Sequence, residues 1–571
     1  MGAAGVNAQI IRSSQRPDTA GAVRADTTPT PYERARIIQA DFERFRHNNL
    51  APYRSGRPGN CDEQVGRFCY WYDETAEPAP ELPVVTARRS QFLNELDSLG
   101  SRDPNDNWIL AQRVRYLVED GRAAEALNAA RACTTGTWWC DVMAGFALHM
   151  LGEYERADSV YAVAIDKMLP RDQCSWNDLS LLLDSDALQS YRRLECGDPR
   201  RKAFEDRVWW YARTLYLMHG NDSRTEHYAR MTMALMLNDS ASPHQFGFDD
   251  DEREMMLRFG WPTAWMRGGA SDPRSGRAFD IISHEPVPAY RYVPAGFVLN
   301  NPAVSDSADW RLQLPPVMGR YAPPYAKVFR ALQHQKAMFR RGDTALVVVS
   351  YDASEFAEFR NTPLEAAVTV SPAGEPRAYQ SRKAGSDAAG ILTVRAPWGP
   401  LIMSAEVAAP GKSAVARARY GISPPYAVGV RVSLSDLLFF KPFGTFPTTA
   451  DEAIPHALPT ERVMANEKLG VFWEAYGTDP AGEAMQVSLR VVREIAPEGS
   501  FFRRALGLAR EVTPVSVSVQ DLSALGSRTS ARALELDIST LPKGAYIVSL
   551  EIEVAGQYVV SAEHRIEIVG P

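Results

Sequence analysis

The chain has 571 residues, 45% of them hydrophobic and 23% charged, with a net charge of -7. That length calls for several domains, and those fractions are ordinary for globular protein. No basic stripe dominates and no run approaches eighteen apolar residues, so nucleic-acid binding and a transmembrane helix are not expected.

Residues 1–29 read as a disordered tail. Val6-Asn7-Ala8 ahead of Gln9 supplies the small residues that a signal peptidase selects, so the tail reads as the end of a signal peptide whose beginning is missing. A helical region is expected over 30–245. It starts where Thr30 can cap, Pro31 suits the first turn and Glu33 completes a capping box. Tyr32, Ala35, Ile38, Phe42 and Phe45 follow at helical spacing on one face. Residues 50–86 form a long Pro/Gly-rich loop, and a helix is expected over 88–99. Further helices are expected over 176–195, 203–219 and 223–237.

Between them, 108–170 carries two helical hairpins of similar pattern. In the second, Gly152 marks the turn, Ala157, Tyr161 and Ala164 recur at steps of four and three, and Pro170 ends the helix. Gly121, Ala126, Ala130 and Cys133 stand at the matching places in the first. This pattern of small, aromatic and small residues after a glycine turn resembles the tetratricopeptide repeat. The resemblance implies a stacked array that needs neighbouring helices to bury both faces.

All six cysteines lie in the first 200 residues. None forms CxxC, and no His stands at metal-ligand spacing, which speaks against zinc. An even count without a motif reads as disulfides, and local pairing suggests Cys61 with Cys69, Cys133 with Cys140, and Cys174 with Cys196. With the signal-peptide reading, this points to a periplasmic or secreted protein.

Residues 246–334 read as a connector. The acidic run Asp249-Asp250-Asp251-Glu252 suits a helix start, and Gly260-Trp261-Pro262 ends the pattern. Gly260, Trp261 and Thr263 resemble the short motif of the GWxTD domain of bacterial proteins, with Ala264 standing where that motif has Asp. The resemblance implies no activity and no site.

From 335 the hydrophobic period changes to two. Strands are expected over 344–351, 363–370, 390–397, 401–408 and 413–420, then over 428–435, 469–476, 484–494, 513–520, 531–538, 544–554 and 557–569. They read as two antiparallel immunoglobulin-like β-sandwiches, 335–422 and 423–571, so the fold class is multidomain α plus β.

No catalytic signature stands out. His284-Glu285 precedes Pro286 and has no second His, and there is no GxSxG, P-loop or GxGxxG. No catalytic residue, metal or cofactor is assigned. The aromatic groups Trp138, Trp139, Trp209, Trp210 and Tyr211, with His227, are the candidates for a ligand groove, because adjacent aromatics cannot all face one core. The alternative for them is packing between repeats. The expected function is an interaction or scaffold protein of the cell envelope, binding a protein or peptide partner through the helical surface. The alternative is a carbohydrate-active or other hydrolytic enzyme with accessory β-domains, and a third option is a structural component that oligomerises through its sheet edges.

Overall fold

A computed structural model describes residues 29–53, 63–66, 68–70, 79–245, 247–268, 281–282, 290–291, 293–310, 320–321, 323–425, 431–494 and 515–570. The N-terminal tail, Cys61, the 284–286 triplet and much of the connector lie outside them.

The chain is a mixed α and β molecule with several cores. Its first helix, α1 (Pro31–Asn48), begins with the expected capping box: Thr30 accepts from the Glu33 N–H at 3.2 Å, and the Glu33 carboxylate takes the Thr30 N–H at 2.9 Å. It is followed by α2 (Pro83–Arg102), α3 (Asn107–Glu119), α4 (Ala123–Arg131), α5 (Trp138–Met150) and α6 (Tyr154–Asp166), each packed on the next. Gly121 and Gly152 turn the two hairpins at φ 74° and 75°, a conformation that costs other residues a Cβ clash. A Cβ on Gly145 would stand 3.0 Å from the Tyr161 ring, so α5 and α6 owe their close approach to that missing side chain. Phe42, Phe92, Val114, Tyr116, Ala126, Phe146, Ala157, Tyr161 and Ala164 share one buried core.

After α7 (Pro170–Trp176), α8 (Ser185–Tyr191) and α9 (Pro199–Ala212), helix α10 (Asp222–Leu237) packs against α3, α5, α6 and α9, and against α11 (Asp250–Phe259). Fourteen of its 16 residues are buried, so it is the central helix of this region. Many of its buried polar groups are bonded within the helix or to its neighbours. Glu226 takes the Arg230 Nε–H at 2.7 Å and lies 2.8 Å from His149 Nε2, and the Thr232 hydroxyl donates to the Tyr228 carbonyl at 2.8 Å. Pro170 stands at the start of α7, where it both ends the preceding pattern and opens the next.

Two disulfides join Cys133 to Cys140 and Cys174 to Cys196, each with Cα atoms under 6 Å apart, at 5.7 and 5.9 Å. Among the described residues no helix is long and apolar enough to cross a membrane.

The β part consists of two pairs of sheets. In the first, a five-stranded sheet runs Tyr379–Ser386, Leu364–Pro372, Leu401–Ala409, Ala414–Ile422, Val328–Ala331. All its pairings are antiparallel except the last. A three-stranded sheet, Ala389–Pro397, Thr344–Asp352, Gln333–Arg341, shares its core, with Val347 and Val349 facing Val368, Met403 and Ala416. In the second pair, Lys468–Tyr476 is flanked by Ser433–Leu434 and Leu438–Phe440 on one side and by Thr529–Asp537 on the other. It packs Val471 and Trp473 against a sheet ordered Arg462–Met464, Val560–Val569, Gly544–Val554, Ala484–Arg493, Val515–Leu522.

The four sheets stack. The outer face of the three-stranded sheet offers Ala337, Phe339, Leu346 and Val348 to Leu438, Phe440, Phe472 and Ala453 of the second pair. The outer face of the five-stranded sheet meets the helices, where it holds the non-helical backbone that follows α9. Arg419 donates to the carbonyls of Arg213 at 2.8 Å and Tyr211 at 3.3 Å, and Arg417 donates to those of Thr214 at 2.7 Å and Trp310 at 2.8 Å. Glu406 accepts the N–H groups of Tyr216 and Leu217 at 3.0 and 2.7 Å and pairs with Arg419 at 3.1 Å, both side chains having no exposed surface. The helix expected over 203–219 therefore stops at Ala212: charged side chains from strands some two hundred residues away claim the next backbone groups.

Candidate functional site

One cavity with both apolar and charged walls lies where residues 260–265 close the end of the helical region. Asp249 caps α11 by accepting the Glu252 N–H at 3.2 Å, and three acidic residues occupy the first turn, the favourable end of the helix dipole. Gly260 ends the helix with its N–H on the Met256 carbonyl at 2.8 Å, while Arg230 of α10 donates to the Leu257 carbonyl at 3.0 Å. The Trp261 ring then lies 5.6 Å from Phe146 of α5, and the Trp265 ring 5.1 Å from His244. Ala264 packs with Ala51, Ala79 and Met266, and Met266 and Arg267 pair in parallel with Ala51 and Pro52. The segment is thus anchored at both ends.

Beneath it is a cavity of about 200 Å³. Val118, Met233, Leu237, Trp261, Pro262 and Trp265 supply apolar wall, and Arg115, Glu119, Glu252, Ser242 and Thr263 supply polar groups. Met150 also lines it and is 38% exposed, which puts it at the mouth.

Arg115 and Glu119 belong to a buried ion network built from α1, α2 and α3. Arg46 donates to Glu119, and Arg89 pairs with Glu119 at 3.5 Å and with Asp120 at 3.4 Å. Arg115 reaches Glu43 and Tyr116 donates to it, while Gln112 and Ser240 lie 3.3 and 3.4 Å from the Arg115 guanidinium. Burial pushes the Glu119 carboxyl up, but Arg46, Arg89 and Arg115 outweigh it and hold its pKa below the usual range. Glu43 lies deeper; burial dominates there and raises it, against Arg46 and Arg115. The cavity floor is accordingly a fixed arrangement of charge, preorganised by the helices rather than by solvent.

The aromatic residues singled out in the sequence lie elsewhere. The Trp138 ring is 5.5 Å from Trp139 and 6.4 Å from Trp176 of α7, and the Trp139 indole N–H is spent on the Asn107 carbonyl at 3.0 Å. His227 Nε2 lies 3.1 Å from the Trp176 carbonyl, and its ring is 5.3 Å from Trp209. Trp138, Trp176, Tyr228, His227 and Trp209 thus form an aromatic run among the helices, and burial lowers the His227 pKa to about 4. Trp210 and Tyr211 turn toward the five-stranded sheet: the Trp210 indole donates to Ser371 at 3.2 Å, and the Tyr211 hydroxyl accepts the Gly374 N–H at 2.9 Å. Trp209 and Tyr211 each expose only 2% of their surface. Among the described residues no group of three or more His, Cys, Asp or Glu could hold a metal ion.

Sequence reasoning gave no site role to the cavity residues Arg115, Glu119, Glu252, Trp261 and Trp265, because the fold gathers them from separate stretches of the chain. The signal that was present is the pair formed by the acidic run and the tryptophan-bearing segment after it.

No family model matches the chain, and neither does any curated protein. Among solved structures it is similar to red sea bream transglutaminase, at 12% identity over 42% of this chain and 32% of that one, with a TM-score of 0.14. A β-glucuronidase of Bacteroides uniformis matches at 10% identity over 40% of this chain and 26% of that one, with a TM-score of 0.17. The soluble domain of PmoD from Methylocystis sp. ATCC 49242 (Rockwell) matches at 12% over 23% of this chain and 89% of that one, with a TM-score of 0.13. The chain thus spans about a third of the transglutaminase. Likenesses at these scores carry no argument about fold or function.

Proposed function

We propose that the chain is an exported interaction protein of the cell envelope, periplasmic or secreted. Its tetratricopeptide-like array with the GWxTD-like segment recognises a protein or peptide partner, and two immunoglobulin-like β-sandwiches, 335–422 and 423–571, hold that array on a stiff stem. The observation that carries the reading is the cavity under residues 260–265, an apolar hollow with preorganised charge that opens at Met150. Such hollows seat the anchor side chains that dominate protein interfaces. Recognition is placed at this end rather than along the inner face of the array, because α10 packs there against α3, α5 and α6. The two disulfides fit an oxidising compartment.

The test is a photo-crosslinking amino acid at Met150, with Val163 on α6, 51% exposed, as the control position. The reading expects a discrete adduct from position 150 in envelope extracts of the native host and none from 163. Absence of an adduct from 150, or identical adducts from both, contradicts it.

One observation favours the hydrolytic alternative: Glu119 and Glu252 line the same cavity. The lowered pKa of Glu119 suits a base or nucleophile, so Glu252 would have to serve as the acid. Turnover of aryl glycosides or esters that Glu252→Gln abolishes would establish that reading; no turnover by the intact chain dismisses it.

A further inference from the structure

We infer that two copies of this chain join edge to edge through the strand Val515–Leu522, making one sheet that runs through both. The inference rests on the second sandwich alone and holds whether or not the helical region recognises a partner. The strand stands last in its sheet, next to Ala484–Arg493, and no described strand pairs beyond it. Such an edge presents a row of N–H and C=O groups to any incoming strand, and proteins blunt it with Lys, Pro, bulges or short length. Other edges of these sheets are blunted in this way. Arg462–Met464 has three residues and Val328–Ala331 four. Tyr379–Ser386 carries Arg382 and Lys383, and its pairing shifts register after Leu364. Thr529–Asp537 carries Arg532 and Glu535. Val515–Leu522 uses none of these devices. It has no Lys, Arg, Pro or Gly, and it pairs with its neighbour in unbroken register from Val515 on Val491 to Leu522 on Ala484. Its one charge, Asp521, is paired with Arg532.

What selects a second copy is the sequence of the edge. Residues 515–519 read Val-Ser-Val-Ser-Val, the same in both directions about Val517. In antiparallel pairing about a two-fold axis at that residue, Val517 meets Val517, Val515 meets Val519, and Ser516 meets Ser518. The valines stand opposite Val491, Leu489 and Val487, which are core residues, so they lie on the core side of the sheet. Val515 and Val517 pack partly buried against that core, whereas Val519 is 42% exposed. The join covers Val519 with the other copy's Val515 and carries the core across the joint. On the outer face Ser518 lies 3.0 Å from the Ser488 hydroxyl and 2.6 Å from the Gln486 amide, so hydroxyls meet hydroxyls there. A slip of one residue sets valine against serine, and a slip of two toward the C-terminus sets Val515 opposite Asp521. A contact of about five residues a side is small, so association in the micromolar range is expected.

The experiment is analytical ultracentrifugation of the full chain from about 1 to about 100 µM. It is repeated on two double variants at exposed positions, Ser516→Lys with Ser518→Lys and Ser516→Glu with Ser518→Glu. The proposal expects the parent to pass from monomer to dimer and no further, because the far edge of the sheet, Arg462–Met464, is blunted. Each double variant sets like charges opposite each other across the joint, so its dimer should be at least tenfold weaker than the parent's. An equimolar mixture of the two sets Lys opposite Glu and should dimerise again. A parent that stays monomeric at the highest concentration overturns the proposal. Double variants that dimerise like the parent overturn it as well, and so does a mixture that does not dimerise. If either double variant fails to fold, Val517→Cys decides: oxidation gives a covalent dimer if Val517 meets its own copy, and its absence overturns the pairing.

Discussion

The five-stranded sheet meets the loop after α9 through the fully buried Glu406 and Arg419 and through Arg417, whereas the three-stranded sheet on the other side of the same core meets its neighbour mainly through Phe339, Val348, Phe440 and Phe472, with Gln335 bonded to the Phe439 backbone and Arg341 paired with Glu474. Both contacts are buried. The difference follows from what each sheet has to cover. The second face receives another sheet, most of whose backbone groups are paired within their own ladders, so apolar side chains cover most of it and a few neutral groups, such as Gln335 on the Phe439 N–H and carbonyl, complete the pairing. The first face receives the loop after α9, whose carbonyls and N–H groups have no ladder, and burying them unpaired is costly. Arg417, Arg419 and Glu406 supply partners to that backbone. Two charges of one sign and one of the other are buried together, and burial pulls the Arg417 pKa well below its ordinary value, with Arg419 adding to the effect and Glu406 opposing it.

This contrast can be broken at several points. The largest effect is expected from Arg419→Met, which strands the fully buried Glu406 carboxylate and should cost about 3–5 kcal/mol in denaturant unfolding. Adding Glu406→Leu removes the stranded charge but leaves the Arg213 carbonyl and the Tyr216 and Leu217 N–H groups without those partners, so the double variant should recover less than half of that loss. At the apolar seam, Phe472→Ala leaves a hole between sheets and should cost about 3–4 kcal/mol. There the double-variant logic has no counterpart, because no polar group is left behind.

Acid tests the helical side separately, since α10 concentrates buried titratable groups. His227 has its pKa lowered to about 4 by burial, against 6.5 when free. Below pH 6.5 the unfolded chain therefore takes up that proton first, and stability should fall by about 3 kcal/mol as pH drops from 6.5 to 4. Glu226 is held at about 2, because Arg230 and His149 outweigh its burial. Its contribution is complete above pH 4.5 and is lost as pH falls from there toward 2. Unfolding of the helical region measured against pH should show both limbs, and His227→Phe should remove the upper one. The smallest expected effects are those of reducing the disulfides, about 3 kcal/mol for the pair 22 residues apart and about 2 kcal/mol for the pair 7 apart, read by unfolding with and without reductant.

What the sequence made legible is what local patterns control. The capping box of α1, the hairpins at α3–α6 and two cysteine pairs were readable because turn glycines, cap residues and helical spacing act over a few positions. Elements with both faces covered were harder. Gln333–Arg341 has no clean alternation because one face serves the core and the other the seam. Tyr379–Ser386, an edge strand, is mostly exposed and reads as polar loop, yet it pairs along its length with Leu364–Pro372. Residues 176–195 read as one helix, but within them only Trp176, the last residue of α7, and α8 (Ser185–Tyr191) are helical. The cavity was the least legible feature. Glu119, Met150, Leu237 and Trp261 carry no shared local signal, and only packing α3, α5, α10 and α11 together assembles them.

The claim that buried charge on one face and mainly apolar contact on the other hold the layers separately is tested most directly by hydrogen exchange on Arg419→Met. The account predicts faster exchange in residues 209–217 and along α9 and α10, with the strands Lys468–Tyr476 and Gln333–Arg341 protected as in the parent chain. Loss of protection in all four sheets at once would contradict it, and so would no change after α9.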